Sequence, residues 1–239
     1  MDVVVSVGGS VLIPELSADR VARYADVVDA IADEHTVSCV VGGGGTARDY
    51  IEISRELGAN DAMCDYMGID VTRINARLLI SALDETAYPE PPTSYREAED
   101  ALADDKVPVM GGMAPGQTTD AVAAVFSEYT NADLLVYATS VDGVYTADPR
   151  TDDDAEKRER VDPHELVEIV MQTEMSAGTN SVVDALAAKI IERSGVRTIV
   201  LDGSDPDDLR RAVVDGTHEG TEILPAGTDD DQGALDEFE

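Results

Sequence analysis

The sequence predicts an α/β protein, a three-layer αβα sandwich in which helices cover both faces of a mostly parallel central sheet. Two observations predict this fold class. Short β-branched runs, typical of strands buried on both faces, alternate along the chain with segments of helical periodicity. Glycine-rich turns follow three of these runs and lead into helices. Because such turns lie beyond the carboxyl ends of parallel strands, we expect all three to meet at one edge of the sheet.

In the first half of the chain, apolar periodicity separates the predicted elements. Continuous β-branched runs predict buried strands, and apolar residues spaced three or four apart predict helices, with Ser17 and Ser94 as N-caps. Pro108 favours a short strand at the edge of the sheet. Charged residues of the long helix predicted over 60–83, such as Arg73, are expected on its solvated faces. The predicted elements are strand 2–7, helix 17–32, strand 36–41, a helix from 46, helix 60–83, an extended segment 87–92, helix 94–104 and strand 107–110.

In the second half, threonine, aspartate, proline and glycine mark where elements begin and end. Thr118 or Thr119 caps the helix that includes 121–125, Asp162 caps a helix that opens with proline, and Gly195 ends a later helix. Polar composition predicts loops over 151–160 and 178–181 and a disordered tail from 225. The remaining predictions are strand 133–139, a turn at 142–143, helix 163–171, helix 182–194, strand 196–201, helix 205–214 and strand 220–224.

The charge balance excludes two classes of partner. The chain carries 17 basic and 50 acidic residues, a formal net charge of −33. Nucleic acids and anionic membranes bind basic surfaces, so we expect neither as a partner. No segment has the length and apolarity of a membrane span or a signal peptide, which predicts a cytoplasmic protein. Acidic residues spread over the whole chain are typical of proteins from salt-loving organisms; the alternative is an ordinary acidic protein.

The three glycine turns predict a site for phosphate groups. They comprise Gly8 to Ser10, Gly42 to Gly45 and the segment 111–116. Unpaired N–H groups at a helix N-terminus point outward and the helix dipole favours anions there, so such a turn binds phosphate without a side chain. None of the turns ends in Gly-Lys-Ser/Thr, which excludes the common phosphate-binding loop of NTPases.

Five segments together resemble the amino acid kinase superfold, and within it the archaeal family of uridylate (UMP) kinases. They are VGGS at 7–10, VVGGGGTAR at 40–48, GGMAPGQTTDAVAA at 111–124, TSVDGVYTADPR at 139–150 and DALAAKIIERSGV at 184–196. The resemblance implies phosphoryl transfer from ATP to UMP with Mg²⁺ in pyrimidine nucleotide biosynthesis, and a homohexamer built as a trimer of dimers. It covers 1–224 as one domain, with the acceptor-binding part towards the N-terminus and the ATP-binding part from about 130; the acidic tail 225–239 lies outside it.

The resemblance also implies roles for individual residues. Gly9, Ser10, Gly44 and Arg48 would contact ATP, and Thr139, Tyr145 and Asp148 would complete its pocket. Gly43 would lie against UMP, Asp65 would accept hydrogen bonds from the ribose hydroxyls, and Ala114, Pro115, Gly116, Gln117, Thr118, Thr119 and Asp120 would surround the phosphate and base. The implied catalytic set is Arg48, Gly9, Ser10 and Asp184, and Mg²⁺ would be held mainly by the ATP phosphates.

One position departs from the superfold. Many members have a lysine two residues before the first glycine turn, which begins at Gly8, whereas this chain has Ser6 at that position. UMP already carries an anionic nucleophile, so catalysis needs positioning and charge neutralisation more than a strong base. Arg48, Lys189 and Mg²⁺ are therefore the candidates for the missing positive charge, although a helix lysine such as Lys189 is usually solvated.

Other functions fit parts of the pattern. Isopentenyl phosphate kinases of the same superfold have a catalytic histidine near the second glycine turn, where this chain has Arg48 and no histidine. Acetylglutamate and carbamate kinases would not need both Asp65 and the PGQTTD segment. Molybdenum storage proteins share the architecture and bind nucleotides and oxoanion clusters; the complete acceptor motifs argue against storage.

The acidic composition makes a prediction about salt. We expect the thermal midpoint of unfolding to rise steeply between dilute buffer and molar KCl, because the screening length falls from about 30 Å at 10 mM to about 3 Å at 1 M and weakens the repulsion among acidic residues. Calorimetry over a KCl series measures the midpoint, with a series in betaine, a zwitterion with no net charge, at equal osmolality as the control. A midpoint that stays constant over the KCl series would contradict the halophilic interpretation.

Overall fold

The structure, a computed structural model, describes residues 1–149, 151–174 and 182–225. Within these residues a mostly parallel seven-stranded sheet lies between two layers of helices, which confirms the predicted αβα sandwich. The strands are β1 (Asp2–Val7), β2 (Thr36–Val41), β3 (Val109–Met110), β4 (Leu134–Thr139), β5 (Val144–Tyr145), β6 (Lys157–Arg158), β7 (Arg160–Val161), β8 (Thr198–Asp202) and β9 (Thr221–Ile223). The helices are α1 (Gly9–Leu12), α2 (Ala18–Ala32), α3 (Gly44–Glu56), α4 (Asp61–Leu83), α5 (Tyr95–Ala103), α6 (Thr119–Thr130), α7 (Pro163–Glu174), α8 (Ala185–Ser194) and α9 (Pro206–Arg210).

The strand order brings the glycine turns to one edge of the sheet. The order is β3-β2-β1-β4-β8-β9-β7, and the first five of these strands run parallel to one another. Strand β9 is antiparallel to β8, and β7 runs parallel to β9. Strand β3 is short and lies at the sheet edge, as Pro108 predicted. Since β1, β2 and β3 are neighbours with one direction, their carboxyl ends and the turns that follow them lie together.

Side-chain alternation along β1 determines which helix layer each residue faces. Val3, Val5 and Val7 belong to the hydrophobic core under α2 and α4, whereas Val4 belongs to the core under α6, α7 and α8. Ser6 follows Val4 by two positions and therefore faces the α6 layer. This register places the hydroxyl that replaces the usual lysine directly beneath the N-terminus of α6.

Several predicted boundaries were wrong. The segment 151–160, predicted as a loop, contains β6, which pairs antiparallel with β5. Strands of two residues with charged side chains carry no periodicity, so composition could not reveal this hairpin. The last predicted helix is α9 followed by a π-helical turn at Arg211–Asp215.

The helix predicted from 182 begins at Ala185, because the carboxylate of Asp184 accepts hydrogen bonds from the N–H groups of Leu186 and Ala187 and so acts as the N-cap. The predicted loop 178–181 and the tail beyond Pro225 lie outside the described residues. A membrane-spanning helix needs about 20 consecutive, mostly apolar residues, and no helix within the described ranges has such a stretch.

Candidate functional site

The first two glycine turns lie in direct backbone contact. A Cβ atom on Gly9 would lie 2.3 Å from the Gly44 nitrogen and 2.4 Å from the Gly42 oxygen, so no side chain fits at position 9. Gly44 has a φ of +65° and opens α3. The N–H groups that open α1, including those of Gly9 and Ser10, therefore adjoin the N-terminus of α3, which is an arrangement suited to an anion.

The long helix α4 holds the second and third turns through buried side chains. The Thr72 hydroxyl accepts a hydrogen bond from the Gly112 N–H at 2.7 Å, and the Asn75 amide donates to the Gly42 carbonyl at 2.9 Å. Both side chains are buried. Asp65, nearer the start of α4, accepts a hydrogen bond from the Gly116 N–H at 2.8 Å.

The predicted acceptor residues 114–120 form an accessible loop that leads into α6. Ala114, Gly116 and Thr118 are exposed, and Gly116 has a φ of +79°. Thr118 is the N-cap of α6, and its hydroxyl accepts a hydrogen bond from the Ala121 N–H at 3.0 Å. Asp65 and this loop, far apart in sequence, therefore lie together, as the resemblance implies for a shared ligand. Pro115 and Gln117 are partly exposed in the same loop, and Thr119 is the first residue of α6.

Ser6, Asp120 and Asp184 form a polar cluster where the N-termini of α6 and α8 meet. The Ser6 hydroxyl donates to Asp120 Oδ1 at 3.3 Å. The Thr118 hydroxyl donates to Asp184 Oδ2, while Asp184 Oδ1 caps α8. Burial, followed by the nearby charge of Asp184, raises the pKa of Asp120 from 3.8 to about 7, and the Ser6 hydrogen bond opposes this shift.

Asp120 and Asp184 are too few carboxylates to bind a metal ion without additional ligands. Among the described residues, no group of three or more histidine, cysteine, aspartate or glutamate side chains could hold a metal ion. Mg²⁺ is commonly bound by one or two carboxylates together with phosphate oxygens and water. The donor set therefore fits an ion held mainly by a bound phosphate, with Asp120 and Asp184 beside it.

Thr139, Tyr145 and Asp148 extend the site away from the glycine turns. Thr139 ends β4 next to the first turn, since a Cβ on Gly8 would lie 3.8 Å from its Cα. Tyr145 lies in the β5–β6 hairpin, and its hydroxyl donates to Asp142 at 2.9 Å. Tyr145 and the buried Asp148 line a cleft closed by apolar side chains of α7 and of the segment before α8. This lining comprises Leu166, Ile169 and Val170 of α7 and Val182 and Val183 before α8, together with Val144 of β5.

The cations differ in where they lie. Arg48 is exposed on the first turns of α3, within 3.9 Å of the Cβ position of Gly45, and neither a hydrogen bond nor an ion pair ties its side chain to another described residue. Lys189 is exposed on α8 and pairs with Glu192 at 2.9 Å, as expected for a solvated lysine. Arg73, predicted on a solvated helix face, is instead half-buried and donates to the Gly112 carbonyl at 3.3 Å.

Sequence reasoning missed Thr72, Asn75 and Arg73 as parts of the site. The available signal was the spacing of Asp65, Thr72 and Asn75, which places polar side chains along one side of a largely apolar helix. Single polar residues in a helix are too common for that spacing to be decisive without the turns that they contact.

Comparison with known proteins gives consistent matches. Residues 1–202 match the amino acid kinase family. The uridylate kinase of Haloarcula marismortui is 58% identical over 226 residues, covering 94% of this chain and 99% of that protein. The uridylate kinase of Haloquadratum walsbyi is 55% identical over 232 residues, covering 97% of this chain and 96% of that protein. The crystal structure of uridylate kinase from Archaeoglobus fulgidus superposes with a TM-score of 0.85 at 47% identity, covering 94% of this chain and all of that one.

The raised pKa of Asp120 predicts a pH dependence of stability. The folded protein retains a proton on Asp120 that the unfolded chain releases between pH 3.8 and about 7, so this group's contribution to stability falls as the pH rises through that window. Asp120→Asn removes the contribution. The free energy of unfolding of the variant, relative to the unsubstituted protein, should therefore increase from pH 5 to pH 7 by at most about 1.4 kcal/mol per pH unit and then level off.

Urea unfolding in molar KCl at each pH measures this difference. Asp70→Asn, which removes an exposed carboxylate from α4, is the matched control for the loss of one negative charge. A constant difference for Asp120→Asn over the same range would show that Asp120 is ionised throughout.

Proposed function

The chain belongs to the amino acid kinase family, and we propose that it is a UMP kinase, which transfers the γ-phosphate of ATP to UMP and forms UDP and ADP. The observation that carries the proposal is the meeting of three glycine turns at one sheet edge, with Asp65 and the 114–120 loop on one side and the Tyr145 cleft on the other. The uridylate kinases that match at 55% and 58% identity over nearly the whole chain support UMP as the acceptor.

The acceptor half lies between α4 and α6. Asp65 uses Oδ2 for the Gly116 N–H, which leaves Oδ1 to accept hydrogen bonds from the ribose hydroxyls of UMP. The N-terminus of α6 and the loop 114–120 surround the phosphate and base, and Gly43 lies against the nucleotide without a side chain. The backbone N–H groups at the N-terminus of α6 would bind the UMP phosphate without a basic side chain.

The donor half extends from the first turn to the β5–β6 hairpin. Gly9, Ser10 and Gly44 offer backbone N–H groups to the ATP phosphates, and Thr139 adjoins them at the end of β4. We place the adenine beside Tyr145 and Asp148 at the mouth of the apolar cleft, whose volume of about 30 Å³ is too small to enclose a base. The cluster of Ser6, Asp120 and Asp184 adjoins this half, because Ser6 lies on β1 two residues before the first turn.

Catalysis in this site consists of positioning and charge neutralisation. The UMP phosphate is already an anionic nucleophile, so the protein has to bring it in line with the γ-phosphate and reduce the repulsion between them. When bound, Mg²⁺ supplies neutralisation of the ATP oxygens, and Asp120 and Asp184 would hold it from the protein side. Arg48 adds a permanent positive charge beside the second turn. Asp184 also orients the site, because it caps α8 and accepts a hydrogen bond from the cap of α6.

We propose that the enzyme works as a homohexamer, a trimer of dimers, in the cytoplasm of a halophile, where it serves pyrimidine nucleotide biosynthesis. Haloarchaeal relatives support the salt-loving source. An apolar surface on α3, the residue after it and α4 supports self-association, because a protein of charge −33 exposes many large apolar side chains there. These side chains are Tyr50, Ile53, Leu57, Met63, Tyr66, Ile74 and Leu78. Light scattering in molar KCl measures the molar mass and so tests the hexamer; the molar mass of a monomer would contradict the proposal.

One assay tests the function against its alternatives. ADP release in molar KCl is measured with UMP, CMP, dUMP and isopentenyl phosphate as acceptors. A UMP kinase releases ADP fastest with UMP. Faster release with isopentenyl phosphate would assign another kinase of the family, and ATP binding without acceptor-dependent ADP release would favour a storage function.

Asp65 is expected to select the ribonucleotide. dUMP should be a poor substrate, because its missing hydroxyl leaves a carboxylate oxygen of Asp65 unpaired. Asp65→Ala should raise the KM for UMP far more than the KM for ATP. Initial rates over both substrates measure this, with Asp61→Ala, an exposed carboxylate at the start of α4, as the control. Equal increases of both KM values would place Asp65 outside the acceptor site.

Arg48 is expected to stabilise the transition state. Arg48→Ala should lower kcat by about 10²–10³-fold, the effect of losing one preorganised group that stabilises transition-state charge. Arg48→Lys should restore only part of the rate, because an ammonium group lacks the planar fork of guanidinium. Lys189→Ala should lower kcat by a smaller factor than Arg48→Ala. Arg55 is an exposed arginine later on α3, so Arg55→Ala is the matched control. An unchanged single-turnover rate at saturating ATP, with only a raised KM for ATP, would make Arg48 a binding residue.

A further inference from the structure

We propose that one turn of α4, from Thr72 to Asn75, fixes the spacing between the donor and acceptor halves of the site, and that Thr72 and Asn75 are positioning residues. The proposal rests on the UMP kinase function above. Neither side chain is assigned a contact with a substrate; each acts through the backbone of a glycine turn.

The contacts form a continuous path across the site. The first turn touches the second, since a Cβ on Gly42 would lie 2.7 Å from the Gly9 nitrogen. The Asn75 amide donates to the carbonyls of Gly42 at 2.9 Å and Gly43 at 3.4 Å. One helical turn earlier, the Thr72 hydroxyl accepts from the Gly112 N–H at 2.7 Å.

The packing around Thr72 leaves little room for either turn to move. A Cβ on Gly111 would lie 2.6 Å from the Thr72 hydroxyl, and a Cβ on Gly43 would lie 3.4 Å from its methyl carbon. The same hydroxyl donates to the Ile69 carbonyl at 2.6 Å, which fixes its orientation. Thr72 therefore contacts the second turn with its methyl group and the third turn with its hydroxyl.

The burial of these groups makes the spacing rigid. Thr72 and Asn75 are each 6% exposed, so water cannot replace a lost hydrogen bond without rearrangement. Phosphoryl transfer depends steeply on the distance between the reacting oxygen and phosphorus, so a small displacement of one turn slows the reaction. Because the hydroxyl of Thr72 holds only the acceptor turn, its loss should affect UMP selectively. Asn75 holds the turn that touches both halves, so its loss should affect turnover.

Thr72→Val tests the first half of the proposal, since valine keeps the shape and removes the hydroxyl. We expect the KM for UMP to rise about tenfold, the effect of one net hydrogen bond, with the KM for ATP changed less than about twofold. Thr72→Ser keeps the hydroxyl and should restore the KM for UMP. Asn75→Leu should lower kcat about tenfold or more, with smaller changes in both KM values.

Ser81→Ala is the matched control. The Ser81 hydroxyl donates to the Arg77 carbonyl on the same helix at 2.8 Å but is exposed and contacts none of the turns. Equal increases in the KM for UMP and ATP in Thr72→Val, or failure of Thr72→Ser to restore the KM for UMP, would overturn the proposal and assign Thr72 a general structural role. Kinetic constants of Thr72→Val equal to those of Ser81→Ala would overturn it as well.

Amide hydrogen exchange separates this proposal from the proposed function. Exchange over residues 107–117 should become faster in Thr72→Val and return to the original rate in Thr72→Ser, whatever the acceptor is. Unchanged exchange in Thr72→Val would overturn the positioning role even in an active enzyme. If the unsubstituted protein and Ser81→Ala both fail to phosphorylate UMP, the proposed function fails, while the exchange data still decide whether Thr72 holds the third turn. If Thr72→Val does not fold, the KM values and the amide exchange of Thr72→Ala decide whether Thr72 is a positioning residue.

Discussion

The close approach of the first two glycine turns is the constraint on which the site depends. Strands β1 and β2 are parallel neighbours, so their carboxyl ends arrive side by side, and the chain must turn into α1 and α3 within the same small volume. A Cβ on Gly9 would lie within 2.4 Å of two backbone atoms of the second turn. Only glycine allows this contact, and it leaves main-chain N–H groups, rather than side chains, at the edge of the sheet.

This arrangement is suited to a protein with a strong excess of acid. A chain with a net charge of −33 repels nucleotides at long range, and in molar salt that repulsion is screened within a few ångströms. Binding then depends on contacts at short range. Backbone N–H groups and helix dipoles provide them without basic side chains, of which the chain has few, and the three turns bring several such groups together. The acidic composition and the proposed backbone-based phosphate site are therefore compatible.

Much of the fold could be predicted because it depends on patterns that many residues share. The β-branched runs of β1, β2 and β4, the edge position of β3 and the caps at Ser94 and Thr118 all follow from local chemistry. The β5–β6 hairpin, with two residues in each strand, has no such pattern. Thr72 and Asn75 were missed for a different reason. Their hydrogen-bond partners are glycine turns that lie about forty and thirty residues away in sequence, so no local pattern identifies them. Asp65 was predicted only through family resemblance.

Position 6 has serine where many members of the superfold have lysine, and this difference affects the charge of the site. Side-chain alternation along β1 points position 6 towards Asp120, so a lysine there would face that carboxylate and favour its ionised form. With serine in its place, burial raises the pKa of Asp120 to about 7, and the carboxyl holds a proton for much of the time near neutral pH. Serine at position 6 thus brings no positive charge to the site, and the raised pKa of Asp120 reduces the negative charge beside it. Because a bound cation or phosphate shifts the same equilibrium, the protonation of Asp120 is coupled to the charge that the site receives.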